Sequence, residues 1–403
     1  MRRKRWMLGL AFLTLLAGFL ARVLLIQGWA QPIRTATGSM AAALPGEHFL
    51  VTCADCGIRF PCGADLTDPD DPVVCPNCGY RHNEAADDSR RRGQRVRIDK
   101  WPLLRRAPRR FELFGFRGPE QRDRLSVKRI VGLPGETIAI QDGDLYANGK
   151  IVRKSMTQFR ELAILVHDNA FMPRDDALPP RWVSRSTDNQ TWFDFQPWKC
   201  FANPSPRETV TPLLDNYGYN QVVSRQLQQV HDILLTLELA AETPFAAVQL
   251  TDSETTFMVQ MDFARQQLEL QTAAGDVLDS AMLVRSPRYE IAVALCDASV
   301  LVEINGLALI DQAYEPHRGT PTLTPLAVRI DGLDSPPKGL KVYRDIHYLD
   351  PGGVGWPWKM AQPLGRDEFF LVGDNVPVSV DSRHWASPGL PRKLIAGKVL
   401  PCQ

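Results

Sequence analysis

The longest apolar run in the chain lies at its N-terminus. After a basic patch at residues 1–5, apolar residues fill Trp6–Ile26, with Arg22 as the one charged position. A continuous helix over this run would have the roughly 20 residues needed to cross a bilayer, with Arg22 near enough to its end to reach the interface. We expect an uncleaved anchor whose basic patch stays in the cytoplasm. A cleaved signal peptide is the alternative, but the run exceeds the usual ~7–15 residues and no clear small-residue cleavage site follows before Ser39.

Short alternations of apolar and polar residues predict a mainly β protein beyond the anchor. Residues 125–150 have the pattern of short strands broken by turns, and over residues 257–263 apolar residues alternate with more polar neighbours. Dipeptides typical of two-residue hairpin turns are Asp142-Gly143, Asn148-Gly149 and Asn305-Gly306. Several strands at this spacing, with few helical patterns between them, favour a β-sandwich in the second half of the chain.

These patterns predict six segments, and 403 residues are ample for two or three domains. The segments are a cytoplasmic tip with the anchor (1–30), a first part of a β core (31–52), a cysteine-rich insert (53–92), a second part of the core (93–160), an inserted β-sandwich (161–339) and a third part of the core (340–403). The net charge of +1 and an ordinary charged fraction give no sign of nucleic acid as a partner.

Two C-x-x-C-G knuckles define the cysteine-rich insert. Cys53 and Cys56 form the first and Cys75 and Cys78 the second, with 18 residues between them. This spacing suits four thiolates around one tetrahedral zinc ion, and each trailing glycine permits the turn that a knuckle needs. We expect a structural zinc ribbon, since four cysteine ligands leave no open position for catalysis. Two disulfides are the alternative, which an oxidising compartment would favour.

Four further cysteines stand apart from the knuckles. Cys62 is a spare thiol that could form a disulfide or compete for the metal. The others are isolated and are expected to be small buried apolar residues; they are Cys200, Cys296 and Cys402.

Ser39 stands among small residues, T-A-T-G-S-M-A-A-A, a short distance after the predicted anchor. A serine hydroxyl is a weak nucleophile until a base takes its proton, and none of the seven histidines lies in a pattern tied to a triad. A lysine can serve if burial keeps its amine neutral. Lys128, in the strand-forming stretch V-K-R-I-V-G-L, is the candidate, although a lone lysine on a strand is usually a solvated charge.

Three stretches of the chain, two of which contain Ser39 and Lys128, together resemble type I signal peptidases. This resemblance makes a functional role for the two residues more plausible than either residue does alone. The serine motif of that family corresponds to Thr37-Gly38-Ser39-Met40, its lysine motif to Lys128–Glu136, and its last motif, G-D-N-x-x-x-S-x-D-S-R-x-W, to Gly373–Trp385. The stretches and their flanks cover under half of the chain. The resemblance implies a signal-peptidase-type β catalytic core, into which the ribbon and the sandwich are inserted.

The resemblance also implies a role for each matching residue. Ser39 corresponds to the nucleophile and Lys128 to the general base. Thr37 and the backbone N–H of Ser39 correspond to the oxyanion hole, and Ser379 to the hydroxyl that orients the lysine. Structural support is implied for Asp381 and Arg383 as an ion pair behind the site, possibly joined by Arg129.

The implied activity is that of a membrane-bound serine endopeptidase that removes signal peptides from secretory preproteins after small residues at positions −3 and −1. The single-pass protein would lie in the cytoplasmic membrane with its catalytic part on the extracytoplasmic side, and no cofactor is expected for catalysis. Two other hypotheses are a tethered, inactive protein that binds a ligand through its sandwich, and a self-cleaving regulator with Ser/Lys chemistry, which would need a DNA-binding domain.

The sequence departs from the family pattern at two places. The family often continues S-M-x-P-T-L after the serine, whereas here alanine occupies positions 41–43. The loop beyond Ser39 therefore lacks the rigidity that a proline gives. Val376 stands where the family commonly has arginine, so one salt bridge near the site is expected to be missing. Neither change removes a group that does chemistry.

Overall fold

The computed structural model describes residues 2–22, 30–68, 70–118, 124–175, 180–187, 190–198, 210–316 and 319–401. As predicted, the protein is mainly β, with several antiparallel sheets and a cluster of four cysteines. Cys200 and Cys402 lie outside the described residues. The boundaries of the six segments stay predictions.

Three α-helices and 27 strands, with a few short 3₁₀ turns between them, make up the regular structure of the described residues. The helices are α1 (Arg2–Ala21), α2 (Trp101–Arg105) and α3 (Met156–Leu162). The strands are β1 (Ala30–Arg34), β2 (His48–Thr52), β3 (Arg59–Gly63), β4 (Arg90–Arg91), β5 (Arg95–Asp99), β6 (Leu113–Arg117), β7 (Leu125–Gly132), β8 (Ile138–Gln141), β9 (Asp144–Ala147), β10 (Lys150–Ile151), β11 (Ile164–Asp168), β12 (Trp182–Thr187), β13 (Gln190–Phe195), β14 (Ile233–Ala240), β15 (Phe245–Asp252), β16 (Thr255–Asp262), β17 (Gln267–Thr272), β18 (Val277–Met282), β19 (Arg288–Cys296), β20 (Ser299–Ile304), β21 (Leu307–Ala313), β22 (Leu326–Ile330), β23 (Lys341–Arg344), β24 (Trp358–Lys359), β25 (Glu368–Val372), β26 (Leu390–Pro391) and β27 (Ile395–Pro401).

A seven-stranded sheet gathers strands from distant parts of the chain, in the order β1-β5-β27-β6-β7-β25-β26. We call it the core sheet. Strand β7 carries Lys128, and its neighbour β25 runs directly into the last motif. Apolar side chains such as Phe114, Ile130 and Leu371 are buried against one another in this sheet. The pairing of β7 with β25 is therefore what brings two motifs 240 residues apart to one place.

Two further sheets share one large apolar core, and we call this pair of sheets the sandwich. One has the order β11-β23-β14-β19-β20-β21 and the other β12-β13-β22-β15-β16-β17-β18. Inward-facing residues of both are buried together, such as Leu235 and Val293 of the first sheet and Val248 and Val259 of the second. The alternation predicted over 257–263 is found in β16, where every second side chain points into this core.

The three predicted hairpin turns are confirmed. Gln141 pairs with Asp144 and Ile304 pairs with Leu307, so each turn has two central residues. All three Asn-Gly or Asp-Gly pairs have positive φ at both positions, which is the backbone of a type I′ turn. Turn chemistry could therefore be predicted from sequence alone.

The predicted membrane anchor corresponds to α1, which begins within the basic patch and ends at Ala21. Over the part of the chain that the structure describes, no helix combines the length and the apolar character needed to cross a bilayer. The last part of the predicted span, residues 23–26, lies outside the described residues.

Candidate active site

Lys128 lies inside the protein rather than on its surface. Only 4% of its surface is exposed, because β7 lies in the interior of the core sheet between β6 and β25. Its Nζ donates a hydrogen bond of 2.8 Å to Ser379 Oγ. Burial lowers the pKa of Lys128 to about 8, against the opposing charges of Asp381 and Asp374. At neutral to mildly alkaline pH a useful fraction of the amine is therefore neutral.

A charged network lies behind the lysine. Ser379 Oγ donates to Asp381 Oδ2 at 2.6 Å, and Arg383 donates to both carboxylate oxygens of Asp381 at 2.9 Å. Burial alone would raise the pKa of Asp381, but the charge of Arg383, the nearby His384 ring and the hydrogen bonds from Arg383 lower it below its ordinary value. Asp381 therefore stays ionised and fixes the hydroxyl that holds Lys128.

Arg129 takes part in a different ion pair from the one that the sequence suggested. Its guanidinium donates to both oxygens of Asp374, at 2.8 and 2.6 Å, and to the carbonyl of Phe111 at 2.6 Å. The reason is register: Arg129 pairs with Val372 across β7 and β25, and Asp374 follows two residues later. The possible association of Arg129 with Asp381 and Arg383 is therefore corrected to a separate Arg129–Asp374 pair.

Gly373 brings the first and last motifs into contact. A Cβ at this position would collide with Ser379 Oγ and would lie 2.6 Å from the carbonyl oxygen of Ser39. Its N–H donates to Asp381 Oδ2 at 3.0 Å. Only glycine lets the backbone pass this closely between the two serines, which explains why the sequence has glycine here.

Ser39 lies in a short 3₁₀ turn, Gly38–Met40, preceded by extended backbone at Thr37. The hydroxyl of Thr37 donates to Ser39 Oγ at 3.5 Å, a long contact for two hydroxyls. Ser39 is half-buried and Thr37 is exposed, so both are open to a ligand. Among the described residues no hydrogen bond joins Ser39 to Lys128, whose amine donates to Ser379.

Ser39, Thr37 and Lys128 line one cleft with a volume of about 530 Å³. Strand β1 and the N-terminal half of β7 contribute to its walls, and so do residues from outside the three motifs. Asp65 and Leu66, which follow β3 in the cysteine-rich segment, belong to this second group. Sequence reasoning missed these two residues, because no motif marks them and only the fold brings them to the cleft.

The two knuckles form one buried cluster in which all four sulfur atoms lie within 4.8 Å of one another. The sulfurs of Cys53 and Cys78 are 3.5 Å apart and those of Cys56 and Cys75 are 3.8 Å apart. Four Zn–S bonds of ~2.3 Å in a tetrahedron place the sulfurs about 3.8 Å apart, so the cluster fits this metal. The four cysteines could therefore hold a structural metal.

The knuckles have matching backbones. The N–H of Gly57 donates to the carbonyl of Cys53 at 3.0 Å, and the N–H of Gly79 donates to that of Cys75 at 2.9 Å. Both glycines have positive φ, 79° and 74°, as the predicted turns require. Two equivalent turns that present paired thiols are typical of a zinc ribbon.

The remaining described cysteines lie away from this cluster. Cys62 is free and fully buried, and burial raises the pKa of its thiol to about 12. Cys296 is also free and buried, as expected. Neither is poised to react or to complete the four-cysteine cluster.

Comparisons with known proteins agree with the first two motifs. Residues 3–202 match the family model described as signal peptidase, peptidase S26. Over 60 residues the chain is 38% identical to signal peptidase I V of Bacillus subtilis (strain 168), which is 15% of this chain and 34% of that protein. The match thus spans about a third of the length of this curated relative.

Two solved structures of low similarity are a galectin of Caenorhabditis elegans, LEC-6, and the carbohydrate-binding module CBM66 of Bacillus subtilis. The first is 13% identical, with a TM-score of 0.21 over 29% of this chain and 81% of that one. The second is 8% identical, with a TM-score of 0.20 over 29% of this chain and 73% of that one. Scores of this size do not establish a shared fold.

Proposed function

Because this chain belongs to the signal peptidase S26 family, we propose that it is a Ser/Lys endopeptidase that removes signal peptides from exported preproteins. Cleavage follows small residues at positions −3 and −1 of the preprotein. The observation that carries the proposal is the buried Lys128 amine, whose pKa is lowered to about 8 and which shares a cleft with the Ser39 hydroxyl. A base of this pKa suits proton transfer near the operating pH.

In the proposed reaction the neutral amine of Lys128 accepts the proton of Ser39 as its oxygen attacks the scissile carbonyl. The backbone N–H of Ser39 and the hydroxyl of Thr37 then stabilise the oxyanion. The protonated lysine gives its proton to the leaving amine, and the neutral amine later activates water to hydrolyse the ester. Substrate binding brings Ser39 Oγ within reach of Lys128, since catalytic hydrogen bonds commonly tighten in the bound complex.

Three residues support the base without contacting the substrate. Ser379 orients the amine through its 2.8 Å bond, and Asp381 and Arg383 fix Ser379. We also propose that the protein is anchored in the cytoplasmic membrane by its N-terminal apolar run, Trp6–Ile26, with the cleft on the extracytoplasmic side. Its partners are then the bilayer and secretory preproteins.

We further propose that the four-cysteine cluster binds one structural zinc ion, held by Cys53, Cys56, Cys75 and Cys78. Support comes from the sulfur separations and the matched turns. Metal analysis of the purified protein should give about one zinc per chain, and chelation should release it together with four titratable thiols. Absence of both the metal and these four titratable thiols would instead favour two disulfides.

Peptidase activity is tested with the purified full chain in detergent and a peptide that has alanine at positions −3 and −1. We expect cleavage after the −1 alanine, and no cleavage when leucine replaces it. Ser39→Ala and Lys128→Ala should each abolish activity while both proteins stay folded. If both variants cleaved as fast as the wild type, the peptidase proposal would be wrong and a ligand-binding role for the sandwich would gain support.

A further inference from the structure

A segment between β13 and β14 of the sandwich reaches the loop that carries Ser39. This segment, Asp215–Gln221 with the sequence D-N-Y-G-Y-N-Q, is called the bracing segment. Its base is held by Arg344 of β23, whose guanidinium donates to the carbonyls of Asp215 at 2.9 Å and Asn216 at 2.7 Å. The segment is thus fixed to the sandwich at one end while its other end contacts the candidate active site.

A reciprocal amide pair makes the first contact. The side chain of Asn220 donates to Asn375 Oδ1 at 2.7 Å, and that of Asn375 donates back to Asn220 Oδ1 at 2.7 Å. Asn220 is 3% exposed and Asn375 is 1% exposed. Removing one member of such a buried pair leaves polar atoms of the other unpaired, which typically costs about 1–3 kcal/mol.

Asn375 also forms hydrogen bonds to the turn that contains Ser39. Its side chain also donates to the carbonyl of Gly38 at 3.0 Å, and its backbone N–H donates to the carbonyl of Ser39 at 3.2 Å. Both carbonyls belong to the 3₁₀ turn that presents the serine. The amide of Asn220 therefore orients the side chain that holds this turn.

Tyr217 holds the other side of the loop. The backbone N–H of Ala42 donates to its hydroxyl at 2.9 Å. Ala42 has a φ of 36°, which is unusual for alanine, and its position is one where the family motif commonly has proline. Proline has no N–H to donate and cannot adopt this φ. The hydroxyl thus stabilises a loop path that a proline-containing sequence would not take.

Tyr219 packs against the same loop from a third direction. A Cβ at Gly38 would lie 2.5 Å from the ring, and one at Gly63 would collide with it. The N–H of Gly63 also donates to the carbonyl of Tyr219 at 2.9 Å. The rings of Tyr217 and Tyr219 stack, with centroids 5.8 Å apart and planes at 16°. Each tyrosine therefore supports the position of the other.

From these contacts we propose that the bracing segment positions the nucleophile, with Asn220 and Tyr217 as positioning residues that hold Ser39 facing Lys128. The inference rests on the proposed peptidase function. It assigns the sandwich a part in catalysis through a segment whose residues do not line the cleft. A misplacement of a reacting group by about 1 Å can cost roughly 100-fold in rate. Loss of the contacts made by the bracing segment should therefore lower kcat.

The test compares Asn220→Leu with Asn169→Leu in the full-length protein. Asn169 is equally buried and donates to the carbonyls of Pro336 and Pro337, far along the chain from the nucleophile loop, so it controls for loss of stability. Tyr217→Phe is a milder second variant that removes only the hydroxyl. We measure kcat and KM separately, the pH dependence of kcat, the melting temperature, and hydrogen exchange over residues 36–44.

Asn220→Leu should lower kcat about 10- to 100-fold with KM within about threefold, and Tyr217→Phe about three- to tenfold. The pH midpoint should stay near 8, because neither change touches Lys128, and exchange over residues 36–44 should accelerate. Asn169→Leu should lower the melting temperature but leave kcat and this exchange unchanged.

The proposal is overturned if folded Asn220→Leu and Tyr217→Phe keep kcat within twofold of the wild type, or if Asn169→Leu lowers kcat as much as Asn220→Leu. Failure of the peptidase function looks different, because wild type and Ser39→Ala would then show equal activity. Even if the peptidase function failed, unchanged hydrogen exchange over residues 36–44 in Asn220→Leu would show that the bracing segment does not hold this loop.

Discussion

The two sides of the catalytic cleft are built by different means. Lys128 is held by a charged network within the core, through Ser379, Asp381 and Arg383. The loop of Ser39 is held by neutral amide and aromatic contacts, some of which come from the sandwich. On the base side, burial lowers the pKa of Lys128 and the neighbouring charges adjust it, whereas the contacts on the nucleophile side fix only geometry. Substitutions on the two sides should therefore separate charge from geometry, with the largest effect on rate at the base.

Removing the base should have the largest effect on rate. Lys128→Met keeps a long side chain but has no amine to accept the proton of Ser39. A general base contributes typically 10²–10⁴-fold, so we expect kcat to fall by about 10³-fold or more. Lys150→Met, a change at an exposed lysine of β10, is the matched control and should leave kcat unchanged. Comparable activity in both variants would remove Lys128 from the mechanism.

Breaking the charged network should cost stability on the base side. Asp381→Asn leaves the buried guanidinium of Arg383 without its counter-charge, which typically costs about 3–5 kcal/mol of unfolding free energy. Asp262→Asn removes one partner of a largely exposed pair with Arg265 and should cost under about 1 kcal/mol. Urea denaturation measures both, and equal losses would contradict the role given to burial.

The oxyanion hydroxyl should have an effect on rate without an effect on stability. Thr37→Val removes the hydroxyl at nearly constant shape, and loss of one such donor costs about 10²–10³-fold in kcat. Thr37→Ser keeps the hydroxyl and should retain most of the activity. Because Thr37 is exposed, the melting temperature should change little in either variant. Equal kcat values for the two variants would exclude the hydroxyl from oxyanion stabilisation.

The smallest effect is expected at Ala42 on the nucleophile side. Ala42→Gly relieves a positive φ, so stability should stay equal or rise by up to about 1 kcal/mol with kcat preserved. Ala42→Pro cannot adopt this φ and loses the bond to Tyr217, so kcat should fall. If Ala42→Pro were as active as Ala42→Gly, the loop path described here would not be the active one.

The same division explains what could be predicted from sequence. The base side follows from motifs, since Lys128 and Ser379 lie in stretches whose strands pair directly. Hairpin turns and the paired knuckles could likewise be predicted, because their chemistry is local. The expected association of Arg129 with Asp381 and Arg383 is wrong, because the partner of Arg129 depends on the register of β7 against β25. That register places Asp374 beside it.

The contacts made by Asn220 and Tyr217 could not be predicted. They join residues 155 and 175 positions apart, and neither residue lies in a repeated or recognisable pattern. An asparagine or tyrosine in a loop is ordinary by itself. Only the fold shows that these side chains end at the loop that carries Ser39.

The protonation of Lys128 tests the central claim most directly. Nitrogen-15 NMR of the lysine amines in the full-length Ser39→Ala protein, titrated from pH 6 to 12, reports this group once Lys128→Met identifies its signal. Since burial disfavours the charged form, the amine should lose its proton with a midpoint of about 8. A midpoint at or above the ordinary lysine value of 10.5 would show a charged amine at working pH and would contradict the proposed mechanism.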